Sequence, residues 1–398
     1  MKIVVYYEQM GYGGVDTHLA HLINNWPKRD DLFTVISNPN NDGLKFLKQK
    51  ITSNSANIIT LDGVFKNQDP KSLKLIKALD FFIVQFKFIN IFKRLLKDLS
   101  PDVVLLNNGG YPGGITNWWA SIIAKKQKNT ENNTFLLVHH APIKKVVTPV
   151  AMLSDLLVRV IVYLDIPVIT VSQASKRLLE SFTSLQNLNV IYNGLELINK
   201  INNPYDIRGV WGIKKNKKIV GIIGPIVPHK GHTTILKVFR QSDYLKQKAQ
   251  FVIVGTGNKL LLDDLKRKVQ EYGLDSIVTF TGFISEESSQ IINSFDLLVM
   301  PTIDFEGFGY SMVEAMSIEV PVVASKVGAI PEIIVDGKSG LLVDPQDISG
   351  WKNTLEKLIK NDTLCREIGA AGRERIEKNF TAEKMSKNYY NIMINNEA

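Results

Sequence analysis

Residues 296–316 constrain the fold of this chain more than any other stretch. They begin with an apolar run at 296–300, which is typical of a strand buried in a parallel sheet. Gly307 and Gly309 follow in a loop, and a helical pattern of apolar positions comes after it. Strand, glycine loop and helix in this order are typical of an α/β domain with a doubly wound parallel sheet.

The glycine loop of this stretch also predicts a binding site. The first turn of a helix leaves backbone N–H groups without partners, so a glycine loop that enters a helix is suited to an anion. Glu306 lies in the loop and Glu314 lies one turn inside the helix. Carboxylates at these places suit hydroxyl groups on either side of a phosphate, because they accept hydrogen bonds. The pattern therefore predicts a site for a nucleotide sugar.

The segment 306–314, which reads EGFGYSMVE, resembles the E-x7-E signature of the family-4 retaining glycosyltransferases, which have the GT-B fold. The resemblance implies an α/β chain of two Rossmann-like, doubly wound domains that face a central cleft, with a C-terminal helix that crosses back to the first domain. It also implies transfer of a hexose from a nucleotide-diphosphate sugar to a hydroxyl acceptor, in the assembly of cell-surface polysaccharide or glycolipid. Further matches to the same pattern, in order, are Pro301 and residues 321–325, 331–332 and 340–343.

The resemblance assigns roles to individual residues. Glu306 would hold the donor sugar and stabilise its cationic carbon, and Lys230 would hold the diphosphate. His139, which follows a predicted strand at 135–138, would approach the donor sugar, with His140 as the alternative. The positions implied to bind substrate are Gly13, Gly14, Ile284, Gly307, Phe308, Gly309, Tyr310, Ser311, Met312 and Glu314.

One departure from the family pattern concerns the phosphate site. The family commonly has an arginine directly after the strand glycine, where this chain has Pro225. Either His229 supplies the missing charge, or a helix N-terminus carries more of it. The resemblance further implies that the departing phosphate acts as base for the acceptor, without a covalent enzyme intermediate.

The length of the chain, 398 residues, suits two domains of about 150–200 residues each. We place an acceptor-side domain at 1–200, a nucleotide-sugar domain at 201–380 and the returning helix at 381–398. A second glycine-rich loop is predicted at 107–114, after a strand at 102–106, where α/β proteins usually bind ligands.

The composition predicts neither a metal nor a cofactor. The chain has no Asp-x-Asp pair, and its histidines lack the ligand spacing of a zinc site. Its single cysteine, Cys365, cannot form an internal disulfide, which suits a reducing compartment. We therefore expect a cytoplasmic enzyme. The resemblance implies that its donor is a UDP- or GDP-linked sugar.

Most of the net charge lies in the first half of the chain. Residues 1–200 contain 23 Lys and Arg against 15 Asp and Glu, which is +8 of the net +9. This excess predicts an anionic partner such as a membrane surface, unless the lysines are simply solvated. A helical stretch at 71–99 interleaves the basic residues Lys71, Lys74, Lys77, Lys87, Lys93, Arg94 and Lys97 with Phe81, Phe82, Phe86, Phe88 and Phe92. We expect it to contact an anionic membrane and serve a lipid-linked acceptor; the alternative is that these aromatic residues form the core of the first domain.

Three other functions remain open at this point. The chain could be another nucleotide-sugar enzyme, such as an epimerase or a phosphorylase, although epimerases lack this E-x7-E run. It could be a non-catalytic partner that kept the fold, although Glu306, Lys230 and Glu314 are all present. Binding to nucleic acid is not expected, because the basic half lacks a clustered aromatic platform.

Overall fold

The computed structural model describes residues 1–8, 13–41, 43–53, 56–62, 64, 74–111, 114–140, 149–198, 201 and 204–395. The chain forms two compact units, Met1–Gly194 with Ala382–Ala398 and Leu195–Thr381. The sequence placed the corresponding boundaries after residues 200 and 380. Residues 199–200 and 202–203, next to the first of these boundaries, lie outside the described residues.

The first unit contains a parallel sheet. Its strands are β1 (Lys2–Glu8), β2 (Leu32–Ser37), β3 (Ala56–Thr60), β4 (Val103–Asn108), β5 (Thr134–Val138), β6 (Val168–Thr170) and β7 (Leu188–Val190). Within the described residues the spatial order of these seven strands is β3-β2-β1-β4-β5-β6-β7. The central strand β1 is apolar without alternation from Ile3 to Tyr7, because helices cover both faces of the sheet.

Helices cover this sheet on both faces, and the last of them comes from far along the chain. They are α1 (Gly14–Asn24), α2 (Gly43–Lys50), α3 (Lys74–Leu99), α4 (Ile115–Lys125), α5 (Pro149–Tyr163), α6 (Gln173–Phe182) and α16 (Ala382–Asn395). Helix α16 packs on α1, where the Ser386 hydroxyl donates a hydrogen bond to the carbonyl of Leu22 at 3.1 Å. The predicted return of the C-terminal helix to the first domain is confirmed.

The aromatic residues of α3 fall into a buried group and an exposed group. Phe88 and Phe92 are fully buried, and their ring centroids lie 5.1 and 5.3 Å from that of Tyr6 on β1. Phe82 and Phe86 are 66% and 70% exposed. The expectation that the whole aromatic set faces a membrane is therefore wrong for Phe88 and Phe92, because i, i+4 spacing places them on the sheet-facing side.

The second unit repeats the architecture. Its strands are β8 (Lys218–Ile223), β9 (Ala249–Val254), β10 (Val278–Gly282), β11 (Leu297–Met300), β12 (Val322–Ser325) and β13 (Leu341–Val343). In the described part of the chain these six strands form one parallel sheet in the order β10-β9-β8-β11-β12-β13. All of the strand pairs are parallel, as the uninterrupted apolar runs predict.

Nine helices surround this second sheet in the described residues. They are α7 (Ile207–Trp211), α8 (His232–Gln241), α9 (Asp243–Lys248), α10 (Lys259–Glu271), α11 (Ser288–Ile292), α12 (Tyr310–Ser317), α13 (Ile330–Ile333), α14 (Ile348–Lys360) and α15 (Asp362–Asn379). Trp351 of α14 is fully buried in the core on one side of the sheet. Its indole N–H donates a hydrogen bond to the carbonyl of Asp344 at 3.1 Å, which satisfies the polar atom of a buried ring.

Each sheet has one place where the direction of strand addition reverses. In the first unit the chain adds β2 and β3 on one side of β1 and then continues with β4 on the other side. In the second unit the same reversal lies between β8 and β11. A crevice forms at the carboxyl ends of two such strands, and α/β proteins bind their ligands there.

The second glycine-rich loop begins later than the sequence predicted. Asn107 and Asn108 are the last residues of β4, in register with Leu137 and Val138 of β5. Side-chain hydrogen bonds explain why asparagine is accepted in a strand here, since the Asn108 amide oxygen accepts from the N–H of Gly110 at 3.2 Å. The predicted loop is thus shortened, and residues 112–113 lie outside the described part of the chain.

Candidate functional site

An ion pair marks the reversal in the second sheet. Lys230 ends a 3₁₀ turn at Pro228–Lys230, shortly after β8, and Glu306 lies in the loop after β11. The Lys230 Nζ donates to Glu306 Oε2 at 2.6 Å. The side chains are 24% and 15% exposed, so the pair is open to solvent along one side only. The structure thus brings together two of the three residues to which the sequence assigns catalysis.

A glycine allows the two loops of this pair to meet. Gly231 has a φ of +72°, and a Cβ atom built on it would lie 1.7 Å from the carbonyl oxygen of Pro301. The loops are also joined by the N–H of Ile303, which donates to the carbonyl of His229 at 2.8 Å. Any side chain at position 231 would push the Lys230 turn away from the loop that carries Glu306.

A third loop holds the backbone of Glu306. The N–H of Ala329 donates to the carbonyl of Glu306 at 2.9 Å. Gly328 has a φ of +54°, and a Cβ atom there would lie 2.3 Å from the same carbonyl oxygen. Glu306 is therefore fixed through its carboxylate by Lys230 and through its main chain by the residues after β12.

The helix α12 begins directly behind this ion pair, as the sequence predicts. Its N-cap is Gly309, with a φ of +89°. The N–H of Met312 donates to the carbonyl of Gly309 at 3.1 Å, within the first turn of the helix. Ser311, one residue earlier, has no intrahelical acceptor by helix geometry and is better placed for an anion.

Other predicted substrate-binding residues divide by burial. The Phe308 side chain is 3% exposed, with its ring centroid 5.3 Å from that of Tyr310 and 6.0 Å from that of Phe380. Phe308 is thus a core residue that anchors the loop, and only its backbone is available to a ligand. Those that remain half-buried are Tyr310, Ser311 and Glu314 on α12 and Ile284 after β10, whereas Gly307 is buried.

The two histidines near Lys230 carry no charge at neutral pH. Burial, and secondarily the Lys230 cation, lower the pKa of His229. The same causes lower the pKa of His232 to about 4. A lowered pKa disfavours a charge on His229, the first of the two alternatives for the missing arginine. The N-terminus of a helix is the other.

Sequence reasoning missed three polar groups at this edge of the second sheet. Among the described residues, His232 Nε2, Thr302 Oγ1 and Ser325 Oγ are buried without a hydrogen-bond partner. Thr302 follows β11, Ser325 ends β12 and His232 begins α8. Buried polar groups are normally paired, so these three point to a polar ligand or to water. The available signal in the sequence was that Thr302 and Ser325 lie at predicted strand ends and that His232 begins a helix.

The first unit places His139 at the carboxyl end of β5, as predicted. The His139 Nε2 lies 2.7 Å from Asn107 Oδ1, and its ring centroid lies 4.8 Å from that of His18 on α1. The His139 side chain is 8% exposed, and burial lowers its pKa to about 3. His139 is thus neutral throughout the physiological range of pH and is suited to hydrogen bonding.

Gly13 and Gly14 begin α1 at the end of β1 in the same unit. Asp16, which the sequence analysis overlooked, accepts a hydrogen bond from the N–H of Gly13 at 2.8 Å and one from the Tyr7 hydroxyl at 3.3 Å. Burial raises the pKa of Asp16 to about 6. The spacing of an acid three residues after Gly13, at the start of a helix, was the available signal.

The comparisons with known proteins agree with this geometry. Residues 205–375 match the family model of glycosyl transferases group 1. This match spans most of the second unit. The chain is 29% identical over 228 residues to an uncharacterised glycosyltransferase of Methanocaldococcus jannaschii, which covers 56% of this chain and 57% of the relative. It is 25% identical to the poly(ribitol-phosphate) alpha-N-acetylglucosaminyltransferase of Staphylococcus aureus, over 55% of this chain and 46% of the relative. The chain thus spans about half the length of the curated relatives it matches.

The likeness to solved structures extends over the whole length of the chain. The crystal structure of HepE from Anabaena in complex with UDP and glucose matches with a TM-score of 0.75 and 20% identity. The match covers 99% of this chain and 100% of HepE. Together with the two parallel sheets and their alternating helices, it confirms the predicted GT-B fold.

The close approach at Gly231 generates a stability prediction. We expect Gly231→Ala to lower the free energy of unfolding by about 3 kcal/mol or more, because the new Cβ must displace the Pro301 carbonyl. The matched control is Gly273→Ala, since Gly273 also has a positive φ, +64°, but no atom within 4 Å of its Cβ position. In that variant the free energy of unfolding should fall by only about 1–2 kcal/mol, the cost of placing alanine in a left-handed conformation. Urea denaturation measures both, and equal losses would contradict the proposed role of the contact.

Proposed function

We propose that this protein is a retaining, metal-independent glycosyltransferase that moves a sugar from a UDP- or GDP-linked donor to a hydroxyl acceptor. The observation that carries the proposal is the Lys230–Glu306 pair, held at the reversal of the second sheet beside the N-terminus of α12. The match of residues 205–375 to glycosyl transferases group 1 supports it.

The order of charges at this edge suits the breaking of a sugar–phosphate bond. Bond breaking leaves negative charge on the diphosphate and positive charge on the sugar carbon, so each needs an oppositely charged group aimed at it. Lys230 and the backbone N–H of Ser311 meet the first need, and the carboxylate of Glu306 meets the second. Lys230 contacts Glu306 directly. The Lys230 cation would therefore lie between the Glu306 carboxylate, which faces the sugar, and the leaving phosphate.

The remaining groups have simpler tasks in the proposal. Glu314, five residues into α12, accepts hydrogen bonds from the two ribose hydroxyls. The departing phosphate takes the proton of the acceptor hydroxyl on the same face of the sugar, and this front-side path retains the configuration. His139 accepts a hydrogen bond from a sugar hydroxyl and exchanges no proton, because its pKa is too low.

The carboxylate of Glu306 provides the first test. We expect Glu306→Gln to lower kcat by about 100-fold or more, since a neutral amide cannot offset a developing cation. Asp304→Asn is the matched control, because Asp304 is an exposed acid in the same loop. Transfer is measured from UDP- and GDP-sugars to a hydroxyl acceptor, with product configuration read by NMR. A Glu306→Gln enzyme as fast as the control would remove Glu306 from the reaction centre.

A companion variant separates binding from chemistry. In Glu314→Ala the affinity for the free nucleoside diphosphate should fall, because two ribose hydrogen bonds are lost. Glu306→Gln should leave that affinity nearly unchanged, because Glu306 faces the sugar in the proposal. Calorimetric titration of both variants decides the ribose assignment.

Metal independence has its own test. In the part of the chain that the structure describes, no group of three His, Cys, Asp or Glu residues is arranged to hold a metal ion. The diphosphate would then be neutralised by Lys230 and by helix amides. We expect the rate of transfer to stay within about twofold of its original value in excess EDTA, since only protein groups offset the charge. A complete loss that Mg²⁺ or Mn²⁺ restores would overturn this part of the proposal.

We further propose that the acceptor is a lipid-linked sugar reached at an anionic membrane. In the first unit, exposed apolar side chains occupy the outer faces of both α3 and α5: Phe82, Ile83 and Phe86 on α3, and Met152, Leu156 and Tyr163 on α5. Exposed cations stand among them: Lys87, Lys93, Arg94, Lys97 and Arg159. Helix α4 contacts both α3 and α5, so the two outer faces belong to one helix layer.

Charge and apolar area make this layer suitable for peripheral docking. Each Lys or Arg near an anionic membrane contributes about 1 kcal/mol, and the exposed aromatic rings add apolar contact. Of the helices that the structure describes, none combines the length and apolarity needed to cross a bilayer. Lys71 and the side chains of Lys74 and Lys77 lie outside the described part. The S. aureus relative, named for poly(ribitol-phosphate), supports an acceptor that carries phosphate.

Flotation with liposomes tests the docking layer. We expect binding to anionic liposomes that fades with salt, and little binding to neutral ones. The double variant Phe82→Ser with Phe86→Ser should float several-fold less, because it removes exposed apolar area from α3. Leu260→Ser is the matched control, since Leu260 is 82% exposed on the second unit. Failure to bind either kind of liposome would favour a soluble acceptor.

A further inference from the structure

The side chain of Asn107 contacts His139, although burying this amide does not by itself stabilise the fold. Asn107 is the second-to-last residue of β4 and is fully buried. Its Nδ2 has no hydrogen-bond partner among the described residues. A buried amide with an unpaired donor costs stability relative to an apolar residue. The Asn107 Oδ1 accepts a hydrogen bond from His139 Nε2 at 2.7 Å, and this side-chain contact therefore explains the presence of Asn107.

That contact decides where the His139 ring carries its proton. A carbonyl oxygen accepts hydrogen bonds and cannot donate, so a ring nitrogen 2.7 Å from Asn107 Oδ1 must bear the hydrogen. A neutral imidazole has one N–H, and burial keeps this ring neutral by lowering its pKa to about 3. The proton on Nε2 leaves Nδ1 with a lone pair, which makes Nδ1 a hydrogen-bond acceptor.

A second imidazole fixes the plane of the same ring. His18 on α1 is fully buried, and its ring meets that of His139 edge to face, with centroids 4.8 Å apart and planes 78° apart. Neither nitrogen of His18 has a hydrogen-bond partner in the described residues, so His18 acts on His139 through ring contact. Tyr389 of α16 packs on the far side of His18 at 5.6 Å between centroids, which prevents its ring from turning away.

We propose that Asn107 and His18 are positioning residues that hold His139 as its Nε2–H tautomer, so that Nδ1 presents a lone pair to a hydroxyl group of the substrate. The part that names a substrate hydroxyl rests on the proposed function; the tautomer rests on the geometry alone. The strand explains the choice of Asn107 over Asn108, because consecutive residues of β4 point to opposite faces.

The tautomer is measured directly on the unmodified protein. The chain has six histidines, and selective ¹⁵N labelling followed by long-range ¹H–¹⁵N correlation distinguishes a protonated from a bare ring nitrogen in each. The His139 signals are those missing from the spectrum of His139→Gln. At neutral pH we expect hydrogen on Nε2 and none on Nδ1. Hydrogen on Nδ1, or on both nitrogens, would overturn the proposal whether or not the protein transfers sugar.

Two variants separate the hydrogen bond from the ring contact. Asn107→Leu keeps the volume but removes the acceptor, so we expect a mixture of both His139 tautomers and about tenfold lower kcat/KM, the effect of one lost hydrogen bond. His18→Phe keeps an aromatic ring in place and leaves the Asn107 acceptor intact, so the His139 tautomer should not change. A tautomer unchanged in Asn107→Leu, or lost in His18→Phe, contradicts the roles assigned here.

A double variant connects the tautomer to the substrate. Once His139→Gln has removed the ring, adding Asn107→Leu should cause no further loss of kcat/KM, because a positioning residue acts only through the group it positions. Additive losses would show that Asn107 acts by another route. If His139→Gln transfers sugar at the original rate, the proposed function has failed at His139, while the tautomer stands or falls on the spectrum.

Discussion

The contact between Lys230 and Glu306 is the interaction on which the arrangement of the second unit depends. The two residues follow β8 and β11, the strands on either side of the reversal, so their pairing closes the crevice at its base. Neither loop is free to adjust, because Gly231 lies against the Pro301 carbonyl and Gly328 lies against that of Glu306. Because these backbone segments pack directly on each other, the fold fixes where Lys230 and Glu306 lie. A diphosphate that binds beside Lys230 would therefore meet a cation that needs little ordering.

Most of the fold and the second-unit site could be predicted from the sequence, since both follow from local patterns. Uninterrupted apolar runs predicted the parallel strands, and the run before Gly307 predicted the strand, loop and helix that place Glu306. Contacts between distant segments could not be predicted in the same way. That Phe92 faces the core while Phe86 faces solvent depends on which side of α3 meets the sheet. The pairing of Asn107 with His139 depends on strand order and register, which no local pattern specifies.

The two units differ in where their charged groups lie, and this difference cannot be read from the composition. His139 and His229 are both titratable in isolation, yet burial lowers the pKa of each and so disfavours their charged forms. Part of the positive charge in the first half of the sequence lies on α3, where Lys87, Lys93, Arg94 and Lys97 are exposed along with Phe82 and Phe86. In the proposed function, the positive charge used for chemistry is one lysine of the second unit, and the charge used for attraction to a membrane is spread over a helix of the first.

The return of α16 to the first unit has a consequence for how the protein is made. The second unit is continuous in sequence, and its two ends lie side by side, because Leu195 pairs with Thr381 and its N–H donates to the carbonyl of Phe380 at 3.1 Å. It can therefore fold as a self-contained insertion while synthesis continues. The first unit, although it emerges from the ribosome first, must wait for residues 382–395 to cover the buried side of α1. The half of the chain that is translated first is thus the last to be completed.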